Sequence, residues 1–305
     1  MRCIISGATG TIGTALIYKC IEKHIEVLVI TRKNSARNSK IPHHPLVKKC
    51  FCELEDLKKL QNNTGKKYDV FYHFAWMGTT GLSRDDMYMQ NLNVKYALDA
   101  VAVARRFGCN TFIGAGSQAE YGRVGVLLTP DTPTFPETGY GMAKLCAGQM
   151  TREYAHQLGM RHIWVRILSV YGPNDGEQSM IMSTIKMLQE GKTPKFTKGE
   201  QLWDYLYSGD AANAFLLLGQ KEIDGKTYVL GSGQAKPLIE YIEEIRNIIN
   251  PEGKIDVGII PYSKKQVMYL QADISDLQDD IGWNPIVDFD EGIKKIIQEQ
   301  RKENG

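Results

Sequence analysis

Three side chains in this sequence have the types and spacing of a proton-transfer site. Tyr140 and Lys144 stand four apart in "YGMAK", so on a helix they share one face. Ser117 stands in "GSQAEYG", directly after the apolar run 111–115. A phenol titrates near 10, so acid–base work at neutral pH asks for roughly 4 kcal/mol of preference for the phenolate. An ammonium ~5 Å away, at an effective dielectric of about 20, supplies about 3 kcal/mol. Lys144 alone is therefore marginal, and a second positive charge is required. Ser117 is expected to hydrogen-bond the reacting oxygen and hold it for exchange with Tyr140. Out of context, the same trio reads equally well as a surface Tyr–Lys pair beside a turn serine.

The elements that must carry these residues alternate. Short apolar runs at 3–5, 26–30, 46–52, 68–74, 111–115 and 162–167 have strand character, and helical spacing fills 14–23, 54–62, 85–107 and 140–158. This rhythm predicts an α/β fold, a doubly wound parallel sheet with helices on both faces. Ligands in such sheets sit at the carboxyl ends of the strands, where Ser117 is expected. After "VYGPND" (170–175) the rhythm changes. A helix near 180–190, an extended piece at 201–207, a helix at 210–219, a strand at 227–230 and helices at 237–249 and 289–303 follow.

Between the first strand and the first helix lies "ISGATGTIG". Gly7 permits a sharp turn, Gly10 leaves room for a pyrophosphate against the backbone, and Gly13 lets the helix pack on the sheet. The helix N-terminus adds unpaired N–H groups and partial positive charge. A dinucleotide is therefore expected, and its oxidised nicotinamide is the second charge that Tyr140 needs. The second strand ends in "VITRKNSAR" with no carboxylate to bind a ribose hydroxyl. A cation there suits a 2′-phosphate, so NADP(H) is expected in preference to NAD(H), with Arg32 carrying the preference. We expect residues 1–170, with about 205–232, to form the Rossmann domain. Residues 171–204 and 233–305 are expected to form a smaller C-terminal substrate-binding lobe.

The spacing G-x-x-G-x-x-G, taken with "YGMAK", resembles the short-chain dehydrogenase/reductase superfamily. Length and C-terminal lobe make it similar to the extended branch, the NAD(P)-dependent sugar-nucleotide epimerase/dehydratase family. "HFA" (73–75), Asn93-Val94, "VYGP" (170–173), "GEQLWDYLYSGDAA" (199–212) and "DIGWNP" (280–285) match in order. The resemblance implies cofactor contacts from Thr9, Thr11, Ile12, Glu53, Leu54, Phe74, Ala75, Ile167 and Ser169, with Tyr140 and Lys144 at the nicotinamide ribose. It implies a nucleotide-sugar substrate, which Trp76, Gly78, Thr79, Gln118 and Trp203 are placed to meet, and a homodimer through helices 85–107 and 140–158. Three departures matter. The 4,6-dehydratase members carry Asp-Glu directly after the position of Ser117, whereas this chain has Gln118-Ala119, with Glu120 one place too late. Trp203 stands where many relatives have Arg, either stacking on a base or sugar or filling the lobe interface, and Ser169 replaces a frequent Asn. Dehydratase chemistry is thus disfavoured, and C4 epimerisation or 4-keto-sugar reduction is implied. A non-catalytic dinucleotide-binding regulator is the alternative from another class.

The remaining features exclude more than they assign. Lys and Arg total 37 against 35 acids, so no basic stripe exists for nucleic acid. No stretch approaches the ~20 apolar residues of a membrane span, and a cytoplasmic enzyme is expected. Six cysteines lack framework spacing and are expected to be reduced. His43, His44, Cys50 and Cys52 fall within ten residues, but a strand over 47–52 and stiffening prolines argue against zinc. No metal is expected.

Overall fold

A computed structural model describes residues 1–304, with side chains to 302. In chain order it runs β1 (Arg2–Ser6), α1 (Thr11–Glu22), β2 (Glu26–Thr31), β3 (Val47–Phe51), β4 (Val70–His73) and α2 (Met87–Arg106). Next come β5 (Thr111–Ser117), α3 (Gly139–Gln157), β6 (Arg161–Ile167), β7 (Ser169–Tyr171) and α4 (Met180–Gln189). The chain continues through β8 (Leu202–Trp203), β9 (Tyr205–Tyr207), α5 (Ser208–Gly219), β10 (Thr227–Leu230) and β11 (Lys236–Pro237). It closes with α6 (Leu238–Ile249), α7 (Ser275–Ile281) and α8 (Phe289–Asn304).

Seven strands form one all-parallel sheet in the order β10-β6-β5-β4-β1-β2-β3. This is the doubly wound fold that the alternating pattern predicts. Side chains alternate across each strand. On β1, Cys3 and Ile5 join α1 and α5 in one core, while Ile4 joins α2 in another, with Ala155 of α3. A third cluster joins Ile181 and Ile185 of α4 to Ile245 of α6 and Ile293 of α8. The chain order turns outward in both directions from β1 and β4, so the crevice at their carboxyl ends is the expected ligand position.

Two local expectations need correction. Residues 54–62 do not form an α-helix. Leu54–Lys59 is a 3-10 turn, with Asp56 N–H donating to Glu53 and Leu60 N–H to Leu57. Leu54, Leu57 and Leu60 all pack on one core cluster, and their strict three-residue repeat matches the three residues per turn of a 3-10 helix. The helix expected from 85 begins at Met87, because the Asp86 carboxylate caps it by accepting from Met89 N–H at 3.0 Å.

Beneath the carboxyl end of β5, the Trp164 indole lies in a bed of glycines. A Cβ at Gly114, Gly116 or Gly148 would come within 2.3, 2.4 or 2.7 Å of it. Trp164 Nε1 donates to Glu120 Oε1 at 3.0 Å, and Glu120 Oε1 also accepts the Ser117 N–H at 2.8 Å.

Candidate active site

The carboxyl ends of β1, β2, β4, β5 and β6 converge on one cleft. A cavity of about 330 Å³ there is lined by Gly7, Gly10, Gly13, Ser117, Tyr140 and Lys144, with Thr11, Ile12 and Ile167. A second, of about 680 Å³, carries Thr9, Arg32, Glu53, Leu54, Ala75 and Gly78. Phe74, Trp76 and Thr79 line both, so the two run together. A larger cleft, about 910 Å³, lies between α1, α5 and α8, and of the candidate residues only Thr11 reaches it.

The glycine loop has the shape a dinucleotide needs. Gly7 sits at φ +72°, and a Cβ there would meet the Ala75 nitrogen at 2.5 Å. At Gly13 a Cβ would lie 2.6 Å from the Gly7 carbonyl oxygen. A Cβ at Gly10 would meet only the Gly7 carbonyl oxygen, at 3.5 Å, which leaves room over the loop. No side chain caps α1, so its N-terminal N–H groups face the cleft without a side-chain acceptor. The residues present therefore fit a bound pyrophosphate. On the far wall, Arg37 Nη2 donates to the Thr9 carbonyl at 2.9 Å, while Arg32 is exposed. Glu53 and Glu55 line the same cavity.

At the other end, Ser117 and Tyr140 line the same wall of the smaller cavity, and Ser117 Oγ accepts the Ala119 N–H at 3.2 Å. Both residues are buried. Burial pushes the Tyr140 phenol up, and the nearby Ser117 hydroxyl and the Arg84 charge oppose it. Arg84 is thus a cation at the Tyr140 ring beyond the Lys144 that the sequence points to. Lys144 Nζ donates to the Ala115 carbonyl at 2.6 Å and lies 3.7 Å from the Trp76 ring centroid. It is 5.8 Å from the Tyr140 ring centroid, and burial pulls its ammonium down to about 7. Buried His73 on β4 donates or accepts at Ser6 Oγ, 2.8 Å from its Nδ1, and burial with the nearby Lys144 charge lowers it to about 3.

The loop after β4 is fixed from α2. Trp76 Nε1 donates to Gln90 Oε1 at 2.8 Å, and Asn93 Oδ1 accepts the Met77 N–H at 2.9 Å. Gln90 and Arg84 escape sequence reading, because both act across distances with no local pattern.

Three other candidates lie apart from both cavities: Gln118, Ser169 and Trp203. The last two, both departures from the family pattern, are partners: Trp203 Nε1 donates to Ser169 Oγ at 2.8 Å. Trp203 also packs against two apolar clusters. Glu120 turns away from the cleft, fully buried, with Oε2 accepting from Arg166 Nε at 2.8 Å. Among the described residues no group of three or more His, Cys, Asp or Glu is placed to hold a metal ion. Nor is any helix among them long and apolar enough to cross a membrane.

Residues 3–231 match the model of the NAD dependent epimerase/dehydratase family. CDP-abequose synthase of Salmonella typhimurium is 24% identical over 308 residues, covering 97% of each chain. The dTDP-4-dehydro-6-deoxyglucose reductase of Escherichia coli is 25% identical over 310 residues, 98% of this chain and 97% of that one. In structure, the chain is similar to UDP-glucose 4-epimerase from Thermotoga maritima, solved with UDP-glucose, with a TM-score of 0.88 at 22% identity over the whole of both chains.

Proposed function

The chain belongs to the NAD-dependent epimerase/dehydratase family, and from that premise we propose that it is an oxidoreductase acting at C4 of a nucleotide-linked sugar. Reduction of a 4-keto sugar is the favoured reaction. The observation that supports this reading is one cavity lined together by Ser117, Tyr140, Lys144, Gly7 and Gly10. Among the relatives, the reductase from Escherichia coli covers nearly all of this chain.

The dinucleotide, when bound, supplies or takes up a hydride at the sugar carbon. Ser117 then donates a hydrogen bond to the C4 oxygen and holds it against the Tyr140 hydroxyl. In the reductive direction the Tyr140 phenol gives its proton to that oxygen as charge develops on it. In an epimerase the same oxygen, as the phenolate, first accepts the proton of the C4 hydroxyl. Lys144, Gly7, Thr9, Gly10, Thr11, Ile12, Gly13, Glu53, Leu54, Phe74, Ala75 and Ile167 are the proposed cofactor contacts, and Trp76, Gly78 and Thr79 the proposed sugar contacts. We assign residues 171–204 and 233–305 to the substrate-binding lobe, and Trp203 with Ser169 to its interface rather than to a stacking role. Glu120 is occupied by Arg166 and Trp164, which disfavours elimination of water.

A panel of nucleotide sugars and 4-keto nucleotide sugars tests the reading. Net consumption of NADPH marks a reductase, and interconversion without net consumption marks an epimerase. Turnover of no member replaces both readings with that of a dinucleotide-binding regulator. We propose NADP(H) as the cofactor, with Arg32 meeting the 2′-phosphate. Arg32→Ala is then expected to lower the NADPH-over-NADH affinity ratio about tenfold, as loss of one exposed charge-assisted contact would. Equal affinities in the unaltered protein would contradict this, and would turn attention to Glu53 and Glu55 as ribose ligands.

A homodimer is proposed through the outer faces of α2 and α3. Tyr88, Leu92, Met142 and Met150 are exposed there at 88%, 43%, 47% and 46%, an apolar surface of the kind that marks an interaction site. Light scattering is expected to give twice the chain mass, and a monomer mass would rule the contact out.

A further inference from the structure

We infer that Arg84 is a positioning residue for proton transfer, its guanidinium laid on the Tyr140 ring so as to stabilise the phenolate. The inference rests on the acid–base reading of Tyr140 given above and adds a group to it. The Arg84 guanidinium carbon lies 4.2 Å from the Tyr140 ring centroid. Its Nη1 donates to the Thr79 carbonyl at 3.0 Å, which holds the fork in place.

The turn that carries Arg84, Gly81–Asp85, is tied down on both sides. Asp85 Oδ1 accepts the Gly139 N–H at 3.2 Å, at the residue before Tyr140. Gln90 Nε2 donates to the Ser83 carbonyl at 3.0 Å and to Gly78 at 2.9 Å. Gly139 is what allows the approach: a Cβ there would sit 2.8 Å from Met87 Sδ and 3.2 Å from the Arg84 carbonyl oxygen.

A cation over an aromatic face is attracted by the ring quadrupole. The attraction grows when the phenol ionises, because the ring then carries a full negative charge. The other charged groups around Tyr140 do this less well. Lys144 commits its Nζ to Ala115 and Trp76, and burial brings it down to about 7, so it is only partly charged near neutrality. Glu120, behind Ser117, is of the wrong sign and is paired with Arg166. Asp85 is engaged by the start of α3. A guanidinium keeps its charge across the working pH range.

Arg84→Met removes the charge and keeps the length, and Arg84→Lys restores a charge without the plane. Tyrosinate absorbance is followed against pH for each protein, and the same variant carrying Tyr140→Phe is subtracted to isolate Tyr140. In Arg84→Met the Tyr140 ionisation is expected ~1 pH unit higher than in the unaltered protein, the size a partly screened charge at this range gives. Arg84→Lys is expected to shift less, and dinucleotide affinity to stay the same in both. Superimposable titrations for Arg84→Met and the unaltered protein would overturn the inference. If alkaline unfolding truncates a titration, the pH dependence of kcat decides instead, with the same expected displacement. The titration uses no sugar, so its outcome stands whether or not the panel finds a substrate. An active enzyme with no shift removes Arg84 and leaves the C4 reading intact.

Discussion

Tyr140→Phe is expected to lower turnover about a thousandfold, or ~4 kcal/mol of barrier, while leaving dinucleotide affinity unchanged. The substitution deletes one oxygen, the only group on that side chain able to exchange a proton with a sugar hydroxyl. The ring itself stays, and so do its contacts: an edge-to-face pairing with Trp76 at 6.2 Å and the Arg84 guanidinium on its face. Loss of fold is therefore not a competing explanation for loss of rate. The measurement is kcat on whichever sugar the panel identifies, paired with cofactor titration by tryptophan fluorescence. Near-normal kcat in the Phe variant would remove Tyr140 from the chemistry.

Glu120→Ala is expected to be the most damaging change for stability, at about 3–5 kcal/mol, the usual cost of stripping one partner from a buried ion pair. Three donors converge on this carboxylate: the Ser117 N–H, Trp164 Nε1 and Arg166 Nε. Removing it leaves the Arg166 guanidinium with the Pro130 carbonyl, at 2.9 Å, and the Tyr121 ring, 4.6 Å away. Burial pushes the Glu120 carboxyl up, with the Arg166 charge as the leading opposing influence. A thermal midpoint lowered by about 5–8 °C is the expected readout. Glu120→Gln separates structure from catalysis, since it keeps an oxygen acceptor but forfeits the charge. An unchanged midpoint with abolished turnover in the Gln variant would make Glu120 a catalytic acid after all.

Much of this was legible in the sequence, for reasons that can be named. The strands of the sheet are short apolar runs that cannot satisfy both faces except between two helical layers. The glycine loop is local, so its spacing carries its geometry, and Gly7 and Gly13 approach backbone in the way the spacing demands. Ser117 and Tyr140 were legible through their order along the chain and the resemblance it carries. What escaped are relations between distant residues. Arg84 and Tyr140 lie 56 positions apart, joined by a turn whose docking depends on Gly139 and Asp85. The Trp203–Ser169 pair joins two substitutions that look independent when read along the chain. The α-helix expected at 54–62 is a 3-10 turn because Leu54, Leu57 and Leu60, which all pack on one core cluster, repeat every three residues and not at 3.6.

The indole under β5 makes the site serine's position a matter of casting. Gly114, Gly116 and Gly148 shape a mould, Trp164 is poured into it, and the indole nitrogen sets the carboxylate that fixes the backbone at Ser117. These four residues on three elements, with Glu120, thus form one packing unit. Grafting this chain's reaction loops onto another scaffold would fail to reproduce the serine's placement unless the whole unit travelled with them.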